Sequence, residues 1–249
     1  MKPNAVKVAT ARLGTSALAV LTLMSGPVFA GDRALFDVIG YSGDSRYFAF
    51  EEFGIQDGSG FAYSNVYIVD LQNDSWVVGT PIRVQSDDET ASLGQVRADV
   101  RAEAADDLTT LGIDVPGEIV ALVGDGAPGN DGQSLAFGAP GYARPGDVLG
   151  DYQLQLSSFM TTATAPCQEW FSIDPMGFEL TLVDSDGKRQ LHRDAALPRS
   201  RGCPFTYRLY GVVLPFNNGS IDNGVAIVSV YPGGFEGPDR RFIAVPLGK

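Results

Sequence analysis

Phe178-Glu179-Leu180-Thr181-Leu182-Val183, followed by Asp184-Ser185-Asp186-Gly187 and then by residues 189–192, decides the fold class. Apolar side chains at 178, 180 and 182 alternate with polar ones at 179 and 181, the period-two signature of a strand with one covered face. The four turn formers that follow read as a hairpin turn, with no need for calcium. Tyr152, Leu154 and Leu156 alternate in the same way with Gln153, Gln155 and Ser157. By contrast, residues 210–216 and 225–231 are apolar at nearly every position, the pattern of central strands covered on both faces. Upstream, residues 34–41, 46–53, 65–71 and 76–84 read as short strands divided by Ser42-Gly43-Asp44-Ser45, Asp57-Gly58-Ser59-Gly60 and Asn73-Asp74. The expected fold is therefore mainly β, with antiparallel sheets in a sandwich or partial barrel and one amphipathic helix, α+β at most.

That helix is expected over residues 91–111, where Leu93, Val96, Val100, Ala104, Leu108 and Leu111 recur at spacings of three and four. Ser92 with Gln95 forms a capping box and Gly112 a stop. The opposite face, with Arg97, Asp99, Arg101, Glu103, Asp106 and Asp107, reads as solvated. Residues 124–150, rich in Gly, Pro and Asp, read as a long irregular loop.

Residues 1–30 carry only Lys2, Lys7 and Arg12 as charges, then a weakly apolar run over 13–24, Pro27 and Val28-Phe29-Ala30. The run is too short to span a bilayer, and the small residues suit a peptidase, so a secretory signal cleaved before Gly31 is expected. The organisation expected is that signal, then a single secreted domain over 31–249. Within it, 31–90 holds blade-like strands, 91–112 the helix, 113–150 a Gly/Pro/Asp-rich loop region and 151–249 an antiparallel β part. No membrane span remains after cleavage.

The 249 residues hold 18 Lys and Arg against 30 Asp and Glu, net −12. Nucleic-acid binding is excluded as a function class, because affinity for a phosphate backbone comes from cationic neutralisation. Apolar residues at 44% and charged ones at 19% exclude wholesale disorder. Cys167 and Cys203 are the only cysteines, and an exported chain keeps such a pair oxidised, so a disulfide is expected.

Two resemblances follow from particular strings. Gly40-Tyr41-Ser42-Gly43-Asp44-Ser45-Arg46-Tyr47-Phe48-Ala49-Phe50, with Asn65-Val66-Tyr67-Ile68-Val69-Asp70-Leu71, resembles one TolB-type propeller repeat, without a second copy. Ser200-Arg201-Gly202-Cys203-Pro204 and Gly234-Phe235-Glu236-Gly237-Pro238-Asp239-Arg240-Arg241-Phe242, together with Phe48-Ala49-Phe50-Glu51-Glu52 and Gln56-Asp57-Gly58-Ser59-Gly60, resemble the family of predicted secreted bacterial proteins called domain of unknown function 2259. The second resemblance implies secretion and carries over no catalytic residues.

Candidate chemistry lies in three places. Glu51 and Glu52 are consecutive on a strand and must face opposite ways, so one of them meets aromatic packing; with Asp57 they are the catalytic candidates for a glycosidase-like pair. The alternative for that Glu is an ion pair with one of the arginines. Asp125, Asn130 and Asp131 are oxygen donors that could hold calcium, though their spacing fits no calcium loop; no other cofactor is expected. Thirteen arginines follow residue 30, and residues 188–208 carry Lys188, Arg189, Arg193, Arg199, Arg201 and Arg208 against Asp194 alone. With Arg240 and Arg241 they are the candidate site for an anionic ligand, because guanidinium groups grip carboxylates, sulfates and phosphates bidentately. His192 is the only histidine and has no nucleophile motif beside it, so it reads as a surface or strand-end residue. The expectation is a periplasmic or secreted bacterial binding or interaction module, not an enzyme, whose partner is an anionic small molecule or an envelope protein. A carboxylate-based hydrolase and a structural envelope component are the alternatives.

Overall fold

A computed structural model describes residues 31–126, 129–234 and 236–248. The expected signal peptide, residues 1–30, lies outside the described residues. The chain is mainly β, in three antiparallel sheets.

The first sheet contains β1 (Leu35–Ser42), β2 (Tyr47–Ile55), β3 (Ala62–Asp70), β4 (Ser75–Trp76) and β5 (Ile82–Gln85). After helix α1 (Leu93–Thr110) the sheet is completed by β6 (Ile113–Val115). Its order is β4-β3-β2-β1-β6, with β5 also paired to β3. The second sheet is β11-β10-β9-β8, from β8 (Ser134–Pro140), β9 (Val148–Met160), β10 (Met176–Asp184) and β11 (Gly187–Arg193). The third is β14-β13-β12-β7, from β7 (Gly117–Leu122), β12 (Pro204–Pro215), β13 (Val225–Pro232) and β14 (Arg241–Pro246).

Burial orders these into layers. One core packs Phe178, Leu180 and Leu182 of the second sheet against Tyr207, Leu209 and Val228 of the third. Another packs Tyr41, Phe48, Phe50 and Tyr67 of the first sheet against Val213, Ile227 and Phe242 of the third. A third packs Ala49, Val66 and Ile68 under Val100 and Ala104 of α1. The layers therefore run α1, first sheet, third sheet, second sheet. The third sheet is covered on both faces, which is why β12 and β13 are apolar at nearly every position. Gly117 sits where the first sheet closes on the third: a Cβ there would come within 2.6 Å of Val38 Cγ1 and 2.9 Å of Val213 Cγ1 on the neighbouring β12. Gly40 marks a bulge in β1 with φ +152°, and a Cβ there would meet the Val115 carbonyl at 2.6 Å.

Three expectations change. The stretch 113–150 is not a loop region, since β6, β7, β8 and the start of β9 lie in it. Leu135, Phe137 and Ala139 alternate into the core, a pattern hidden by the surrounding Gly, Pro and Asp. The strand expected over 76–84 splits into β4 and β5 around Gly79 and Pro81. A second, short helix α2 (Cys167–Phe171) joins the expected one. On α1 itself Ser92 Oγ accepts the Gln95 N–H, but the Gln95 amide donates to Asp99, so only half of the capping box forms. Gly112 has φ +62° as its stop.

Cys167 and Cys203 form the disulfide, with Cα atoms 5.4 Å apart, tying α2 to the start of β12.

Candidate functional site

Alternation along β2 sends its two glutamates to opposite layers, and both are fully buried. Glu51 faces α1. Its carboxylate accepts from Arg97 Nε (2.8 Å) and Nη2 (2.9 Å), from Arg101 Nε (2.9 Å) and Nη2 (2.6 Å), and from Ser64 Oγ (2.7 Å). Burial pushes its pKa up, but Arg97, Ser64 and Arg101 outweigh that and hold it below the usual value. Arg97 and Arg101, expected on a solvated face, instead hold α1 to the sheet, and the Arg97 guanidinium lies 3.8 Å from the centre of the Phe53 ring.

Glu52 faces the third sheet. Its Oε2 accepts the Phe242 N–H at 2.9 Å, Oε1 accepts the Asn65 amide at 3.4 Å, and Arg241 Nε stands 3.8 Å from Oε1. Burial dominates here, pushing the carboxyl up to about 6. Asn65 is the cross-strand partner of Glu52 on β3, so strand register delivers that contact.

Glu52 lines a cavity of about 550 Å³ where the edge strand β14 meets β3, β4 and β5 of the first sheet and His192 of β11. Each sheet contributes a wall, so the cleft exists only once all three layers are assembled. Its cationic walls are Arg83, Arg201 and Arg241. Arg241 is engaged: it donates to the Tyr63 hydroxyl (2.9 Å), Asp32 (3.2 Å) and Asp239 (3.3 Å). Arg83, exposed on β5, makes no side-chain hydrogen bond or close ion pair among the described residues, and its charge favours ionised Glu52 from a distance.

Arg201 is the unusual member. Its side chain is 14% exposed and Nη1 stands 3.5 Å from Asp194 Oδ2, an ion pair too poorly directed for a hydrogen bond. The buried Nη1 has no hydrogen-bond partner among the described residues, and neither does the buried Tyr207 hydroxyl. The guanidinium lies 5.6 Å and 6.0 Å from the Phe178 and Tyr207 ring centres. A guanidinium offers five N–H donors; the buried Nη1 is turned to Asp194, so what Arg201 presents to the cleft is the remainder of the group.

His192 stands at the end of β11, as a strand-end residue, and is half-buried. It is stacked on Phe178 at 4.6 Å, Nε2 lies 3.1 Å from Asp194 Oδ1, and Nδ1 lies 3.8 Å from Asp74 Oδ2 across the cleft. Burial lowers its pKa, yet Asp194 and Asp74 reverse this and raise it above the ordinary value.

The remaining sequence candidates lie elsewhere. Arg193 pairs with Glu179 and covers the Phe159 ring, and Arg199 is exposed in a short turn. Arg189, on β11 opposite Leu182, borders a different depression. Arg208 donates to the carbonyls of Asn130 (2.7 Å) and Asp131 (2.9 Å); Arg240 donates twice to the Ala34 carbonyl and once to Asp125. The sequence cluster is thus dispersed, because alternation on β11 and the turn before β12 aim neighbouring arginines at different layers. Only Arg201 and Arg241 of the expected set line the cleft. Asp57 lies in a separate depression with Asp32 and Asp239, so it forms no pair with Glu52. The Asp125 carboxylate is taken by Arg240, Arg33 and the Tyr231 hydroxyl, Asn130 Oδ1 by the Gly132 N–H and Asp131 Oδ1 by the Gln133 N–H. Among the described residues no group of three His, Cys, Asp or Glu is arranged to hold a metal.

The family described as Predicted secreted protein (DUF2259) matches residues 49–248. No curated protein matches the chain. The TolB-type repeat is not supported: its two strings run through β1, β2 and β3 of a sheet that continues to β6, backed by α1.

Proposed function

The chain belongs to the DUF2259 family of predicted secreted proteins, and on that premise we propose that it is a non-enzymatic binding module, exported after removal of residues 1–30, whose cleft takes an anionic ligand. The observation that carries this reading is the Arg201 guanidinium on the cleft wall, 14% exposed and faced by one carboxylate, Asp194, at 3.5 Å. Arg83 supplies a second cation on the same lining. A cavity of about 550 Å³ is the size of a small-molecule site.

Thermal unfolding of the purified protein against acetate, citrate, sulfate, phosphate and acidic sugars tests it. A ligand at a hundredfold excess over Kd adds about 2.7 kcal/mol of stability, a shift of several degrees. A shift lost in Arg201→Ala supports the reading, and a flat panel overturns it.

A second reading, a carboxylate-based hydrolase, draws on Glu52, which borders the same cleft with its carboxyl pushed up to about 6. That value suits a general acid near neutral pH. Hydrolysis of nitrophenyl glycosides that disappears in Glu52→Gln would favour it over simple binding.

A further inference from the structure

We propose that the ligand is a monocarboxylate sugar of one or two rings, a hexuronic acid in chemical class, with its carboxylate on Arg201 and a ring face on Trp76. The inference rests on the binding reading above and deepens it.

Three features of the cleft select this class. The first is anionic capacity. Arg241 is already matched by Asp32, Asp239 and Glu52, and Asp194 stands behind Arg201 at 3.5 Å. Asp74 lies on the same lining, so what remains for a ligand is Arg83 and the part of Arg201 that reaches the cleft, enough for one carboxylate and too little for a cluster of phosphates. The second is an aromatic platform. Trp76 of β4 borders the cleft and meets Tyr67 at 5.3 Å with 65° between the rings, yet 42% of it is exposed. An indole fixed by a neighbouring ring but left open offers a flat apolar surface to the C–H face of a sugar ring. The third is the polar rim. Asn65, Ser75, Ser200 and His192 also line the cleft, side chains able to donate to or accept from hydroxyl groups. A fatty acid would make no use of the exposed Ser75 and Ser200 hydroxyls, and a neutral sugar would bring no charge to Arg83 and Arg201.

Calorimetric titration of the purified protein with D-glucuronate, D-glucose, acetate and sulfate tests this, using wild type, Trp76→Ala, Arg201→Gln and Arg83→Gln. Glucuronate is expected to bind at least about tenfold more tightly than any of the other three, as carboxylate and ring contacts act together. Trp76→Ala should weaken glucuronate about tenfold and leave acetate unchanged. Arg201→Gln should weaken both, and Arg83→Gln, at an exposed position, covers the case in which Arg201→Gln does not fold. Glucose binding as tightly as glucuronate, sulfate binding more tightly, or Trp76→Ala binding glucuronate normally would each overturn the sugar assignment. In those cases Arg201-dependent binding of acetate or sulfate would leave the anion-binding module standing. Absence of heat with every anion would remove both.

Discussion

The Glu52 carboxylate reaches across a layer boundary to accept the Phe242 N–H at 2.9 Å, standing where a neighbouring strand would pair on the open edge of β14. A side chain of the first sheet thus caps the edge of the third. Edge strands are otherwise templates for pairing with other chains, and an inward charge is one way of blocking them. Glu52→Ala should destabilise the protein by about 2–4 kcal/mol, since it strands a buried N–H and removes a partner of Arg241. Glu52→Gln, which keeps an acceptor, should cost less; urea unfolding of both variants measures the difference.

The same carboxylate sets a pH dependence. Its pKa is about 6 in the folded chain against 4.5 as the ordinary value, so the folded state binds the proton more tightly. Stability from this group is complete below pH 4.5 and falls as pH rises through 6, by about 2 kcal/mol in all. His192, raised above 6.5, acts in the same sense: its contribution is present below 6.5 and is lost as pH rises through the folded value. Glu51, held below 4.5, acts oppositely, its contribution being lost as pH falls through the folded value. Unfolding midpoints should therefore peak on the acid side of neutrality, near about pH 5. In Glu52→Gln the decline between 4.5 and 6 should flatten, and an unchanged profile would refute the assignment.

Glu51 is fully buried beneath α1 and held by Arg97 and Arg101. Replacing both arginines by Ala leaves an unmatched charge, and such losses cost about 3–5 kcal/mol. Replacing all three residues with apolar ones of similar volume should restore much of that. Hydrogen exchange should show α1 loosening first in the double variant.

Gly117 has no room for a methyl group, since Val38 and Val213 close on it from two sheets. Gly117→Ala should cost about 1–3 kcal/mol through overpacking, readable in thermal unfolding.

Cys167 and Cys203 are 36 residues apart. A Cys167→Ser, Cys203→Ser variant should lose about 3–4 kcal/mol, with the loss concentrated around α2 and the turn that carries Arg201. Ligand affinity should fall with it if that turn positions the guanidinium.

The fold was legible wherever side-chain period reported cover. Phe178, Leu180 and Leu182 have one buried face, and Val225 to Tyr231 have two, so both classes of strand could be read. Leu135, Phe137 and Ala139 carry the same signal, but three apolar residues amid glycine and proline are too few to outweigh the turn formers. The opposite orientations of Glu51 and Glu52 followed from the pleat, and the pairing of one with arginines was weighed. Which arginines, Arg97 and Arg101, was not legible, because a helix face reads as solvated whether its charges meet water or a buried carboxylate. The cleft was least legible. Arg83, Arg241 and His192 come from three different sheets and Arg201 from the turn before β12, and no spacing in the chain records which edges meet. Composition drew attention to residues 188–208, yet local charge density says nothing about where each guanidinium points.

Tyr41 bonds the Val213 carbonyl across 172 residues, and Glu52 bonds Phe242 across 190. The aromatic layer made from residues 41–67 therefore has no cover on that face until residues 213–244 have been synthesised. Contacts so remote in sequence form slowly, because their loops must close before they stabilise anything. During synthesis the early strands therefore wait for their cover, and the layer closes late. β14, the last of the described strands to leave the ribosome, completes the layer that was begun first.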